Sequence, residues 1–185
     1  MCPYCSCVLV ETIESERLEL VWLSSEMIEA LLEGRQDALD FDVPPDWPDE
    51  HDRRFLAFRL RQMTEEPERG PWLPRAIVHE GRMIGHIGFH GPPGVNARKE
   101  PAAAEVGYTV FEPYRRRGYA TEAVRAVLGW AEGKGVQHFI ASIAPDNEPS
   151  LALVRRLGFR EIGRHWDEED GEELEFELKL SGSSP

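Results

Sequence analysis

The chain has 185 residues, 41% hydrophobic and 30% charged, with 34 acidic side chains against 21 basic ones and a formal charge of −13. That length suits one domain with a sizeable core, and the acidic balance argues against nucleic acid as the main partner, because phosphate backbones need a basic face. No apolar run approaches the roughly 18–20 residues of a membrane span. The N-terminus lacks the basic and apolar stretches of a secretory signal, so a cytoplasmic location is expected. A cationic small molecule or basic peptide fits the charge better than an anion does, although excess carboxylates also serve solubility alone.

Cys2, Cys5 and Cys7 all fall in "MCPYCSC". A redox C-x-x-C needs a preceding strand to set its first thiolate at a helix N-terminus, and here only Met1 precedes. A closed zinc site wants four ligands, and no histidine lies nearby in sequence. Residues 1–15 therefore read as a frayed tail, with no metal expected, and residues 16–181 as one domain.

Leu18–Leu23, "LELVWL", alternates as a first strand. Ser24 or Ser25 can cap a helix bearing Met27, Ile28, Leu31 and Leu32, which Gly34 stops. Three prolines make residues 40–50 a loop. Leu56, Leu60 and Met63 predict a helix over Arg53–Glu65. Leu73–His79 and Met83–His90 read as a hairpin turning at "EGR", followed by the flexible "GPPGVNARKEPAA". Glu105–Phe111 is a strand. Tyr119–Glu132 is the clearest helix, with Ala120, Ala123, Val124, Val127, Leu128 and Ala131 at helical spacing. His138–Ile143 is a strand, "NEPSLALVRRLGF" a short helix, and "EIGRHW" a strand. In Leu174–Leu180 the leucines and Phe176 should face in, and Glu173, Glu175, Glu177 and Lys179 out. The order implies an α/β or α+β fold with a mixed sheet.

The stretch "EPYRRRGYATEA" sets three arginines before Gly118 and a helix start. Helix N-termini expose unpaired N–H groups with partial positive charge, and a phosphate there accepts several hydrogen bonds at once. Gly118 lets the backbone approach a ligand, and small Ala120 keeps the first turn uncrowded. Strand, turn and helix together make a pyrophosphate cradle. The plainer alternative is a strand-to-helix turn with solvated arginines.

Arg115-x-x-Gly118-x-Ala120 resembles the acyl-CoA signature of the GCN5-related N-acetyltransferases. "AEVGYTVFEPYRRRGYATEA" is similar to that family's fourth strand and third helix, and "Asn147-x-x-Ser150 … Leu157-Gly158-Phe159" to the second half of its acetyl-CoA site. The resemblance is specific from Ala104 to Phe159 and looser at "SERLEL" and "DGEELEFEL". "GYATEA" and "DNEPSLALVRRLGF" are most similar to the branch containing the acetyltransferases of ribosomal-protein N-termini, whose members also acetylate small amines. The resemblance implies a mostly antiparallel sheet of six to seven strands with about four helices, its fourth and fifth strands splayed, and acetyl-CoA as co-substrate.

By that resemblance the pyrophosphate sits on backbone N–H groups from Arg115 to Ala120, spanning Arg116, Arg117, Gly118 and Tyr119. The pantetheine pairs with the backbone of Tyr108, Thr109 and Val110 as an added strand. Asn147 is a pantetheine contact, a helix cap, or both. An amine with an ordinary pKa near 8–10 must lose a proton before attack. Glu105 is the candidate base or substrate anchor, the alternative being a solvent-side carboxylate. Glu105 and Val110 fall on opposite faces of an ideal strand unless a bulge intervenes. Many family members place a tyrosine acid where this chain has Val154. Ser150 is the candidate donor to sulfur, the alternative being a surface helix residue. The Val110 N–H is the candidate oxyanion donor. Trp47, His90 and Trp166 are candidates for the acceptor pocket, each of them also explicable as packing or surface, and the acidic "DEEDGEE" hairpin suits a cation. The expected function is acetyl transfer from acetyl-CoA to a protein N-terminus or small cationic amine, as a monomer or homodimer. A non-catalytic acyl-CoA-binding module is the alternative.

Overall fold

The computed structural model describes residues 10–168 and 171–180; Cys2, Cys5 and Cys7 lie outside them. Eight strands form one sheet in the order β1-β2-β3-β4-β5-β6-β8-β7. The strands are β1 (Ile13–Glu14), β2 (Glu19–Trp22), β3 (Arg75–His79), β4 (Arg82–Phe89), β5 (Ala103–Val110), β6 (His138–Ile143), β7 (Arg160–Asp167) and β8 (Gly171–Lys179). Four α-helices join them: α1 (Ser25–Leu32), α2 (Glu50–Glu65), α3 (Tyr119–Gly133) and α4 (Glu148–Arg156). Every neighbouring pair is antiparallel except β5 and β6.

Each helix carries its apolar stripe onto the sheet. Ala123, Val124, Val127 and Ala131 of α3 pack with Phe89, Phe139 and Phe176 in one buried cluster, and α4 adds Leu151 and Val154. Ile28 and Leu31 of α1 and Leu56 and Met63 of α2 build a second cluster with Trp47 and Leu73. Burying one such side chain contributes about 1.5–3 kcal/mol. Ser24 caps α1 by accepting from the Met27 N–H. A reciprocal capping box of Asp49 and Asp52 starts α2 at Glu50, three residues before its apolar stripe predicts.

Residues 11–15, read from sequence as tail, are held by the fold. Ile13 and Glu14 pair with Leu20 and Glu19, and the Glu11 carbonyl accepts 2.8 Å from the buried Arg75 guanidinium. The "SER" segment also grips the start of α3: Glu122 accepts from Ser15 Oγ at 2.8 Å, from the Arg17 N–H at 2.7 Å and from Arg17 Nε at 2.8 Å. Arg17 donates onward to the Arg117 carbonyl at 3.3 Å. One edge of the arginine turn is thereby tied to the sheet.

Two features shape the middle of the sheet. Between β3 and β4 the register slips, Ile77 facing Gly85 and Val78 facing Met83, so Ile84 is an extra, bulged residue. Between β5 and β6 pairing covers only Ala103–His138, Ala104–Phe139 and Glu105–Ile140. Beyond those three pairs the strands run on unpaired, β5 to Val110 and β6 to Ile143. This is the splay expected between the fourth and fifth of the seven predicted strands; the two-residue β1 is the added eighth.

Strand β8 corrects one expectation. Glu175, expected to face solvent, is 3% exposed. The loop of residues 91–102 folds back over that face, and its Arg98 meets the Glu175 carboxylate at 2.5 Å. Alternation holds along the strand, but its outer face is covered.

Candidate active site

A cavity of about 1170 Å³ opens at the splay and runs beneath the 42–52 loop and α2. Tyr108, Ile143, Asn147, Ser150 and Arg115 line its splay end, and Trp47, Asp52, Phe55, His86 and His90 its other end. The two ends thus share one space.

Strand β5 separates the two halves by alternation. Phe111 donates its N–H to the Ile84 carbonyl, and His90 donates its N–H to the Glu105 carbonyl, both at 2.9 Å. Together with the continuous β4–β5 register, these bonds turn the backbone of odd-numbered residues toward β4. The even-numbered Val106, Tyr108 and Val110 therefore direct their backbone groups into the splay. Thr109, a candidate for backbone pairing with a pantetheine, instead bonds toward β4 and lends its side chain to the cavity wall. The Val110 carbonyl is already taken by Arg115 Nε at 2.8 Å.

The turn after β5 fits a phosphate group. Arg116 and Gly118 have φ of 62° and 85°, the left-handed conformation from which anion-binding backbone concavities are made. Gly118 is the N-cap of α3 and supplies no side-chain cap, so the helix presents its first N–H groups unsatisfied by its own residues. Arg117 lies over the Tyr114 ring. Tyr119 is 7% exposed and packs on His79 and under Arg17, so only its backbone is available to a ligand. Asn147 caps α4, its Oδ1 accepting from the Ser150 N–H at 3.3 Å, while both residues line the cavity.

Glu105 is 1% exposed and engaged. Its Oε1 accepts from Ser142 Oγ at 2.5 Å and its Oε2 from the Ala97 N–H at 2.7 Å. His90 Nδ1 lies 3.5 Å from Oε2, and the imidazole is 43% exposed toward the cavity. His90 Nε2 reaches over Gly107, 3.4 Å from where a β-carbon would stand. With no bulge in the β4–β5 register, Glu105 and Val110 keep opposite faces. At about 3.3 Å per residue they stand about 16 Å apart, too far for the Val110 N–H and Glu105 to serve one carbonyl. Tyr108, about 10 Å from Glu105 on the same count, offers the splay-facing N–H nearer to His90.

The end beneath the 42–52 loop is aromatic and acidic. Trp47 is buried and packs tilted against His86 and Phe111, and Phe55 stacks on His86 at 5.3 Å. Burial raises the pKa of Asp52 against its hydrogen bond from the Asp49 N–H and a contact with the Trp47 N–H that falls short of full hydrogen-bond geometry. Trp166 is 76% exposed and does not line the cavity. Alternation in β7 puts His165 on the inner face instead, 3.4 Å from Glu173 and 3.5 Å from Glu175. Asp52 and His86 line the cavity and are not singled out by the sequence. The capping spacing of Asp49 and Asp52 was a signal for the first, and alternation with His90 for the second.

Burial, then the positive charges of Arg59 and His51, lower the pKa of His86 from 6.5 to about 4. It is therefore neutral at pH 7, and its 3.9 Å approach to Asp52 is not an ion pair there. A group whose folded pKa is depressed contributes stability that is full above its unfolded pKa and lost as pH falls through the folded one. From pH 6.5 down to about 4 the unfolded chain takes up a proton that the folded chain refuses, at a cost of about 3 kcal/mol. Urea midpoints measured across that window should fall in the wild type and fall markedly less in His86→Phe.

Residues 17–160 match the family model described as acetyltransferase (GNAT) domain, and the chain belongs to that family. It is 30% identical over 150 residues to the N-acetyltransferase 9-like protein of Caenorhabditis elegans, covering 77% of this chain and 68% of that protein. It is 25% identical over 146 residues to the alpha/beta-tubulin-N-acetyltransferase 9 of Mus musculus, covering 76% of this chain and 56% of that one. The fold superposes on RimL, a ribosomal L7/L12 alpha-N-protein acetyltransferase solved with coenzyme A, with a TM-score of 0.65, 20% identity and 92% and 98% of the two chains covered.

Proposed function

We propose that the chain transfers an acetyl group from acetyl-CoA to a primary amine by direct attack within a ternary complex. The observation that carries this reading is the run of splay-facing backbone on β5 along a cavity that reaches Arg115, three residues before the uncapped start of α3 at Gly118. The backbone of Val106, Tyr108 and Val110 would take the pantetheine as a further strand, and the turn from Arg115 to Ala120 its pyrophosphate. The structural neighbour solved with coenzyme A supports the same donor.

His90 is the group positioned to take the amine proton, and Glu105 orients its ring from below. The Tyr108 N–H is the donor for the oxyanion. The aromatic wall with Asp52, together with Glu173 at the cavity edge, favours an acceptor carrying positive charge, either a protein N-terminus or a small polyamine-like amine.

A thiol-release assay with acetyl-CoA against N-terminal peptides, polyamines and aminoglycosides tests the reading. Turnover on one class supports it. Coenzyme A binding without turnover on any amine favours a binding module of the same fold, and no binding overturns the donor assignment. Gly118→Val, which forces a branched residue to φ near 85° and crowds the backbone, is expected to weaken coenzyme A binding at least about tenfold by calorimetry.

A further inference from the structure

The helix α4 offers no proton-bearing side chain at Val154, which is 1% exposed and packed in the core. The splay nevertheless holds a hydroxyl that makes no full hydrogen bond among the described residues. Tyr108 lines the cavity with its ring packed against the main core, and its Oη is shielded from solvent with no hydrogen-bond partner among the described residues. A buried, unpartnered hydroxyl costs about 1–3 kcal/mol, and most such groups are satisfied in native proteins. Burial raises the phenol's pKa, and the neighbouring Ser150 hydroxyl opposes that rise without reaching full hydrogen-bond geometry. The two hydroxyls face each other across the cleft, one from β5 and one from the first turn of α4.

We infer that the Tyr108 hydroxyl, with Ser150 beside it, donates a hydrogen bond to the sulfur of the donor thioester and steadies the thiolate as it leaves. The inference rests on the acetyl-transfer reading above. In the step, the amine nitrogen forms a bond to the carbonyl carbon and its proton passes to His90. The carbon–sulfur bond breaks, its electron pair going to sulfur. An ordinary phenol has a pKa near 10 and a thiol near 8.5, so the proton remains on Tyr108. The thiolate departs hydrogen-bonded and takes its proton from solvent on release. Tyr108 therefore acts as a donor that stays protonated through neutral pH, and no separate acid on α4 is required.

Tyr108→Phe tests this, because it deletes one oxygen that makes no full hydrogen bond among the described residues and should leave the chain about as stable. Two quantities are read: kcat with the best amine, and the pKa of coenzyme A's own thiol when bound, followed by its ultraviolet thiolate absorbance against pH. In the wild type that thiol should titrate below the value that free coenzyme A shows in the same buffer. In Tyr108→Phe it should rise by about one unit, and kcat should fall about tenfold to a hundredfold with coenzyme A affinity little changed. Adding Ser150→Ala should remove the remaining lowering. An unchanged thiol pKa in Tyr108→Phe overturns the inference even where kcat falls, since a packing role would slow the enzyme without touching the thiol. A wild type that binds coenzyme A, lowers its thiol pKa and acetylates no amine contradicts the transfer reading but supports the sulfur contact. A wild type that binds no coenzyme A overturns both.

Discussion

Replacing Glu105 by glutamine is expected to lower kcat by about a hundredfold while coenzyme A affinity stays within about twofold. Glu105 reaches the cavity only through His90, its two oxygens being held by Ser142 and the Ala97 N–H. Glutamine keeps the shape but removes the negative charge that orients the imidazole and stabilises it once protonated. His90→Gln removes the group that takes the proton and should cost at least as much. A charge acting through the ring has a signature that packing lacks: the acid limb of the pH–rate profile moves to lower pH in Glu105→Gln, whereas a merely loosened site would keep the limb and lose amplitude. Glutamine can accept from the Ala97 N–H and donate to the Ser142 hydroxyl, so urea midpoints should move by less than about 1 kcal/mol. An unaltered pH profile with full kcat would remove both residues from the chemistry.

Gly85→Ala is expected to be the most damaging single methyl in the sheet. Its β-carbon would stand 2.1 Å from the Thr109 carbonyl oxygen and 3.0 Å from Val110 Cα. Both are backbone atoms, so no rotamer change relieves the contact. The crowding follows from the bulge at Ile84, which twists β4 onto its neighbour at this point. Relief requires β4 and β5 to part beside the residues that face the splay. The expected loss is about 3 kcal/mol in urea unfolding, the upper end of overpacking costs, together with weakened coenzyme A binding. Gly129→Ala, where a β-carbon would meet nothing within 4 Å, is the control and should be neutral or slightly stabilising.

Much of this was legible in the sequence. Helix α3 declares itself through its apolar stripe and α1 through Ser24, while β4, β5 and β6 fall within a residue or two of their expected ends. The arginine–glycine turn reads as a phosphate cradle from sequence alone, because its chemistry is local. What was hidden depends on parts of the chain distant from one another. Burial of Glu105 and Glu175 comes from residues 97 and 98, in a loop that composition marks only as flexible. Trp166 sits in a strand whose inward parity the sequence leaves open, and the β7–β8 register turns it outward and His165 inward. Thr109 was included with its neighbours because the side to which a backbone group points is set by the partner strand. Tyr108 was read for its backbone alone, since the loneliness of a hydroxyl appears only when the space around it is known.

The three-residue contact between β5 and β6 has a thermodynamic meaning as well as a geometric one. Past Glu105 the sheet contains an interior margin, a row of peptide groups left open in the middle of the ladder rather than at its rim. Such margins at a rim invite other chains; here the margin faces the cavity that Ile143, Asn147 and Ser150 line. A ligand lying there would act as the ninth strand, and the folded state would gain RT ln(1 + [L]/Kd) from it. Saturation at about a hundred times Kd would add about 2.7 kcal/mol, so the protein's resistance to unfolding would rise and fall with the supply of its own donor.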